Sequence, residues 1–100
     1  MSTLLPQELL DMIPDLYETE EVPDPICHVK LFLLGTEWTW YVTEISKEDH
    51  NLCFGYVIGL EKELGYFSLE ELEGLQSSLG ILVERDESFA PAPLSIIKTC

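Results

Sequence analysis

Basic residues are scarce. The chain has Lys30, Lys47, Lys62, Arg85 and Lys98 against 19 Asp and Glu, a formal net charge of −14 over 100 residues. Affinity for nucleic acid comes largely from Lys and Arg displacing counterions from phosphates, so this deficit disfavours direct binding of DNA or RNA. Long apolar runs are missing as well. No stretch approaches the roughly eighteen residues of a membrane-spanning helix, and no membrane partner is expected. The opening "MSTLLPQELLDMIP" has no basic leader and already carries Glu8 and Asp11, unlike a secretory signal, so a cytoplasmic location is expected.

Groups that do chemistry are equally sparse. Cys27, Cys53 and Cys100 are odd in number and far apart, which in a cytoplasmic chain implies reduced thiols. Cys27 and Cys53 lie in strand-like runs, where cysteine acts as a small hydrophobe. The only histidines are His28 and His50, so the serines lack an evident base, and there is neither a nucleotide-binding glycine loop nor a nucleophile elbow. A zinc site could be drawn from Cys27, His28, His50 and Cys53, but neighbours on a strand point to opposite faces. Carboxylate and lysine pairs such as Glu44 with Lys47, or Glu61 with Lys62, are not specific among so many acids. No catalytic residue, metal ligand or cofactor is therefore assigned.

What the chain does have is apolar and aromatic content for one core: 46% hydrophobic residues and 10% aromatic. Residues 6 to 13, "PQELLDMI", predict a short helix with Pro6 at its first position and Leu9, Leu10 and Ile13 on one face. Pro14 stops it, because the residue before a proline avoids the helical region. An acidic connector, "DLYETEEVPDP", leads to a strand over 26 to 34. There Cys27, Val29, Leu31 and Leu33 form one face, and His28 and Lys30 the other. Residues 38 to 45 and 52 to 58 predict two more strands joined by the polar hairpin loop "SKEDHN". Leu52, Phe54, Tyr56 and Ile58 share a face, and Gly55 either leaves room for a bulky neighbour or marks a bulge.

"GYF" reads as a short strand before a helix opened by Ser68. Glu71, three residues on, completes a capping-box pattern. Leu69, Leu72 and Leu75 or Gln76 keep helical spacing, and Gly74 places the helix end nearby. A last strand is expected over 81 to 85, then an extended Pro91–Pro93 segment and a closing helical turn in "LSIIK". The expected fold is α+β, a single domain over 1 to 100. It is a mostly antiparallel sheet of four to five strands with two short helices.

The stretch "TEWTWYVTEIS" raises a functional question. Trp38 and Trp40 share one strand face, and Thr39, Tyr41 and Thr43 the other. Either the tryptophans are half of a core, or they form an aromatic platform rimmed by acids, a composition that suits a protein-binding surface. At least one of them is expected in the core.

"WTWYVTE", "FGYVIGLEKELGYFSLEELE" and "LGILVERDESFAPAPLS" resemble the small proteins catalogued as domain of unknown function 2958, and the likeness extends over nearly the whole chain. The resemblance implies a genomic setting in bacterial phages, plasmids and conjugative elements. Some members are labelled single-stranded DNA endonucleases, but the family supplies no catalytic residue to carry over. Setting and charge together suggest a non-enzymatic inhibitor of a host defence nuclease complex, of anti-CRISPR or anti-restriction type. It would occupy a basic nucleic-acid-binding surface as a mimic of nucleic acid. Expected contact residues are Glu18, Glu20, Glu21, Trp38, Trp40, Glu44, Glu48, Asp49, Glu61, Glu63, Glu70, Glu71 and Glu73. The alternatives are a metal-dependent single-stranded DNA endonuclease and a homodimeric regulatory or structural module joined through the aromatic strand.

Overall fold

A computed structural model describes residues 4–75 and 80–99. Gln76 and Cys100, singled out above, lie outside the described residues. The N-terminal helix α1 (Gln7–Met12) begins one residue later than expected. Pro6 is its extended N-cap, and the Pro6 carbonyl accepts from the Leu9 and Leu10 amides at 3.0 and 3.2 Å. It ends where the proline rule requires, with Ile13 already extended at ψ 130° ahead of Pro14.

Strands β2 (Val29–Leu33), β3 (Thr39–Ile45), β4 (Leu52–Ile58) and β5 (Lys62–Ser68) form an antiparallel meander. Helix α2 (Leu69–Glu73) follows, and β6 (Val83–Arg85) returns to the far edge, giving the order β5-β4-β3-β2-β6. The short strands β1 (Ile26–Cys27) and β7 (Ala92–Pro93) pair in a separate ribbon before helix α3 (Leu94–Lys98). The α+β architecture is as expected, the closing turn in "LSIIK" forms a third short helix, and the two-stranded ribbon is added. "GYF" lies inside β5, which runs seven residues because it pairs with β4 along its whole length.

Both sheet faces are covered. On one, Leu10 and Ile13 beside α1 and Leu69 and Leu72 of α2 close over Leu31, Trp40, Val42, Ile45 and Phe67. On the other, Leu94 and Ile97 of α3 cover Cys27, Tyr41 and Tyr56. The first strand is thus not continuous from 26 to 34. It breaks at His28, and Cys27 joins the second core rather than extending the Val29, Leu31 and Leu33 face. The reason is pairing: β1 leaves the main sheet to join β7 through Ile26↔Pro93 and Cys27↔Ala92.

A bulge decides the rest. Val42 opposes Gly55 and Glu44 opposes Phe54, so Thr43 is an extra residue on β3. The alternation of Thr39, Tyr41 and Thr43 expected from a regular strand is therefore broken. Beyond the bulge Ile45 turns into the first core and Glu44 onto the opposite face, beside Phe54. Thr43 is buried, and its hydroxyl donates to the Phe54 carbonyl at 2.9 Å. Gly55 is required across the bulge, since a Cβ there would lie 1.8 Å from the Tyr41 carbonyl oxygen.

The cap read from sequence forms: Ser68 Oγ accepts from the Glu71 amide at 3.3 Å. Asn51 reinforces it, its side-chain oxygen accepting from Ser68 Oγ and the Glu70 amide at 3.1 and 2.8 Å. Gly74 is the C-cap, and Leu75 is exposed beyond it.

Candidate functional site

The acids divide into two groups. Short aspartate side chains hold turns, as expected of a group that reaches nearby backbone amides. Asp15 accepts from the Lys47 and Leu16 amides, and these N–H groups hold its carboxyl below the usual range. Asp24 takes the Ser95 hydroxyl and amide at the start of α3, and the hydroxyl is the larger cause of its lowered pKa. Asp49 closes the 46–51 loop through the Asn51 and Leu52 amides, and Asp86 takes the Ser88 hydroxyl and amide. Both are lowered for those reasons. A carboxylate whose pKa is depressed by folding stabilises the native state above its unfolded pKa, and that contribution disappears as pH falls through the folded value. Thermal unfolding followed by circular dichroism should therefore show a midpoint that declines below about pH 4. An Asp24→Asn protein should show a shallower decline, and an identical one would remove Asp24 from this account.

The glutamates behave differently. Glu18, Glu20, Glu21, Glu48, Glu61, Glu63, Glu70 and Glu71 are exposed, and Glu73 is half-buried. Glu44 is the exception and a correction to the expected contact set. It is 4% exposed. Its Oε1 accepts from the Tyr17 amide and its Oε2 from the Thr19 amide, each at 2.9 Å, and the Thr19 hydroxyl also donates to Oε2. Glu44 is an internal fastener of the 15–21 segment, with little of its surface exposed. Trp40 is buried too, at 4% exposure. Asp49 is exposed but engaged in its turn.

At least one tryptophan is in the core, as expected, and the other is partly exposed. Trp40 is core, and Trp38 stacks on it with ring centroids 5.8 Å apart and planes 19° from parallel. Trp38 is 38% exposed, its ring close against Gly59, where a Cβ would come within 2.1 Å of it. The glycine lets the β4–β5 hairpin lie flat on the indole. At the tip of that hairpin Leu60 is 95% exposed. Trp38, Val57, Leu60, Glu61 and Glu63 line one shallow depression of about 360 Å³. β3 itself is central, paired to β2 and β4, so it offers no free backbone edge.

A second concavity, of about 350 Å³, opens on the opposite face between the 17–25 segment, strands β3 to β5 and α3. Tyr17, Glu20, Glu44, Phe54, Tyr66 and Lys98 are among its lining residues. Phe54 and Tyr66 meet edge to face at 4.9 Å between centroids. The pKa of the Tyr66 phenol is raised, first by the neighbouring Tyr17 side chain, then by desolvation, with the charges of Glu44 and Glu20 adding to the rise. Tyr17 has φ +71°, a left-handed backbone uncommon for a bulky residue. Sequence reading missed Tyr17, Leu60 and Tyr66. The available signals were a lone aromatic in an acidic connector and a leucine placed in a turn.

The thiols are chemically quiet. Burial pushes Cys27 up to about 11 and Cys53 up to about 12, so both are protonated at neutral pH. Burial also lowers the pKa of His28, whose Nδ1 is buried without a hydrogen-bond partner. Among the described residues no group of three or more His, Cys, Asp or Glu side chains could hold a metal ion, and no helix is long and apolar enough to cross a membrane.

Fold and surfaces define a small acidic α+β domain built on an antiparallel meander, with Glu20, Glu61 and Glu63 at two aromatic depressions. The family model described as "Protein of unknown function (DUF2958)" matches residues 4–98, and the chain belongs to that family. Comparison with curated proteins and with solved structures gave no match.

Proposed function

We propose that the protein is a non-enzymatic inhibitor that binds a basic, nucleic-acid-binding surface of a partner protein. The class of partner is a host defence nuclease complex in the cytoplasm of a bacterial cell. The observation that carries this reading is the Trp38–Leu60 end: a stacked indole and a fully projecting leucine flanked by Glu61 and Glu63. A partly exposed tryptophan is the residue type most enriched at interface hot spots, and the projecting leucine beside the same depression offers apolar area to bury around it. Surrounding carboxylates on a chain of net charge −14 select a basic counterpart and accelerate the encounter. The exposed Glu18, Glu20, Glu21, Glu70 and Glu71 add to the same field.

The test is a tagged pull-down from the bacterial host at low salt, with mass spectrometry, followed by competition of the recovered complex with DNA and RNA. A stoichiometric nucleic-acid-binding effector, released by salt and displaced by nucleic acid, is expected. Leu60→Asp, at an exposed position that leaves the core intact, should weaken binding at least about tenfold. Reversing Glu61 and Glu63 to lysine should weaken it further and flatten its salt dependence. Binding indifferent to salt and to both variants would sink the proposal, and recovery of the protein alone would direct the next assay to metal-dependent cleavage of single-stranded DNA.

A further inference from the structure

The concavity on the opposite face is more specific than a patch of acids. Its walls are the Tyr17, Phe54 and Tyr66 rings, with Leu64 and Val22 as apolar lining. Its charged groups are Glu20, Glu44 and Lys98. These are segregated. Glu20 and Glu44 lie close enough to Tyr66 to raise the pKa of its phenol. Lys98 instead lies over the Tyr56 ring, 5.7 Å from the centroid, and acts electrostatically on Asp24. Lys98 thus sits on Tyr56, a ring outside the cleft lining, while Tyr17, Phe54 and Tyr66 form the aromatic wall with Glu20 and Glu44.

The aromatic wall is also firmly built. Tyr17 is 62% exposed, so packing does not explain its left-handed backbone. A buried carboxylate on the central strand grips its amide, and Tyr66 engages its side chain. Strain retained to present an exposed aromatic is the kind of outlier from which a binding role is argued.

We propose that this cleft receives the guanidinium of an arginine side chain presented by the basic partner. The inference rests on the proposed function and adds a specific anchor to it. A guanidinium is planar, weakly hydrated and stacks on aromatic faces, whereas an ammonium is a strongly hydrated point charge. Its methylene stem would lie along Leu64 and Val22, the tyrosine oxygens keep acceptor capacity, and Glu20 supplies the opposing charge. The volume of about 350 Å³ is at the low end of the roughly 300–1,000 Å³ usual for ligand sites, which suits one side chain.

The test is amide NMR of the intact protein titrated with N-acetyl-arginine methylamide. Its citrulline counterpart, of nearly the same shape but uncharged, serves as the control, and free arginine as a second ligand. Saturable shifts at Tyr17, Thr19 and Tyr66 are expected with the capped arginine. They should be absent with citrulline and at least five-fold weaker in Glu20→Gln and in Tyr66→Leu, two exposed sites whose replacement leaves the core untouched. Equal response to citrulline, shifts confined to other residues, or tighter binding of free arginine than of the capped form would each overturn the proposal. A pull-down that still yields a salt-released effector alongside such a result would reject the arginine slot while leaving the inhibitor reading standing.

Discussion

Replacing Glu44 by alanine is expected to lower the unfolding free energy by about 3 kcal/mol, measured by urea denaturation. The wild-type carboxylate is buried and satisfies two backbone amides and a hydroxyl, all from Tyr17 and Thr19. Alanine leaves those donors without their acceptor in the wall of the cleft, and an amide that loses its acceptor on a partly buried surface costs about 1–3 kcal/mol. Glu44→Gln keeps an acceptor oxygen and should lose roughly half as much. Hydrogen exchange adds a local readout. The Tyr17 and Thr19 amides should lose protection in Glu44→Ala while the amides of β3 and β4 keep theirs. A loss below about 1 kcal/mol would mean that the 15–21 segment is held by something other than this carboxylate.

Gly55→Ala is expected to cost at least about 3 kcal/mol. The added Cβ would sit 1.8 Å from the Tyr41 carbonyl oxygen, 2.9 Å from its carbon and 3.2 Å from the Val42 Cα. Those atoms are backbone of β3, which is paired on both sides and cannot yield as a surface side chain would. The control is its cross-strand partner. Gly65 opposes Gly55 on β5, and a Cβ there would meet nothing within 4 Å. Gly65→Ala should stay within about 0.5 kcal/mol of wild type. Similar behaviour of the two variants would show that the cost is general to glycine in this sheet and unrelated to the bulge.

The contrast between these two glycines shows where sequence reading stops. Sequence reading singled out Gly55 as leaving room for a bulky neighbour or marking a bulge, and a bulge does lie opposite it, but which atoms would meet a Cβ there was not legible. Only the approach of Tyr41 across the bulge makes one indispensable. Glu44 teaches the same lesson. In "YVTEI" it reads as a solvent-facing acid, but Thr43 bulges out of register, and the acid turns toward donors 25 and 27 residues earlier in the chain. Neither a bulge nor a contact of that span leaves a period-2 or period-3.6 trace. The break at His28 was hidden for a related reason. It is caused by a proline-rich ribbon from the far end of the chain, through pairs such as Ile26↔Pro93.

What the sequence determined by itself was local. Apolar pattern placed β2 to β4 and a fragment of β5, Pro14 stopped the first helix, and Ser68 with Glu71 and Gly74 bounded the second, because steric limits, capping and side-chain period act over a few residues. Composition likewise set the net charge of −14. Tertiary structure decided everything that depends on distant partners. It fixed the strand order, placed Trp40 inside and Trp38 at the surface, and separated the carboxylates that hold turns from those left exposed. The physical reason is that burial and hydrogen-bond satisfaction belong to a residue's neighbours in space, and in an antiparallel sheet those neighbours are set by register and bulges as much as by the residue itself.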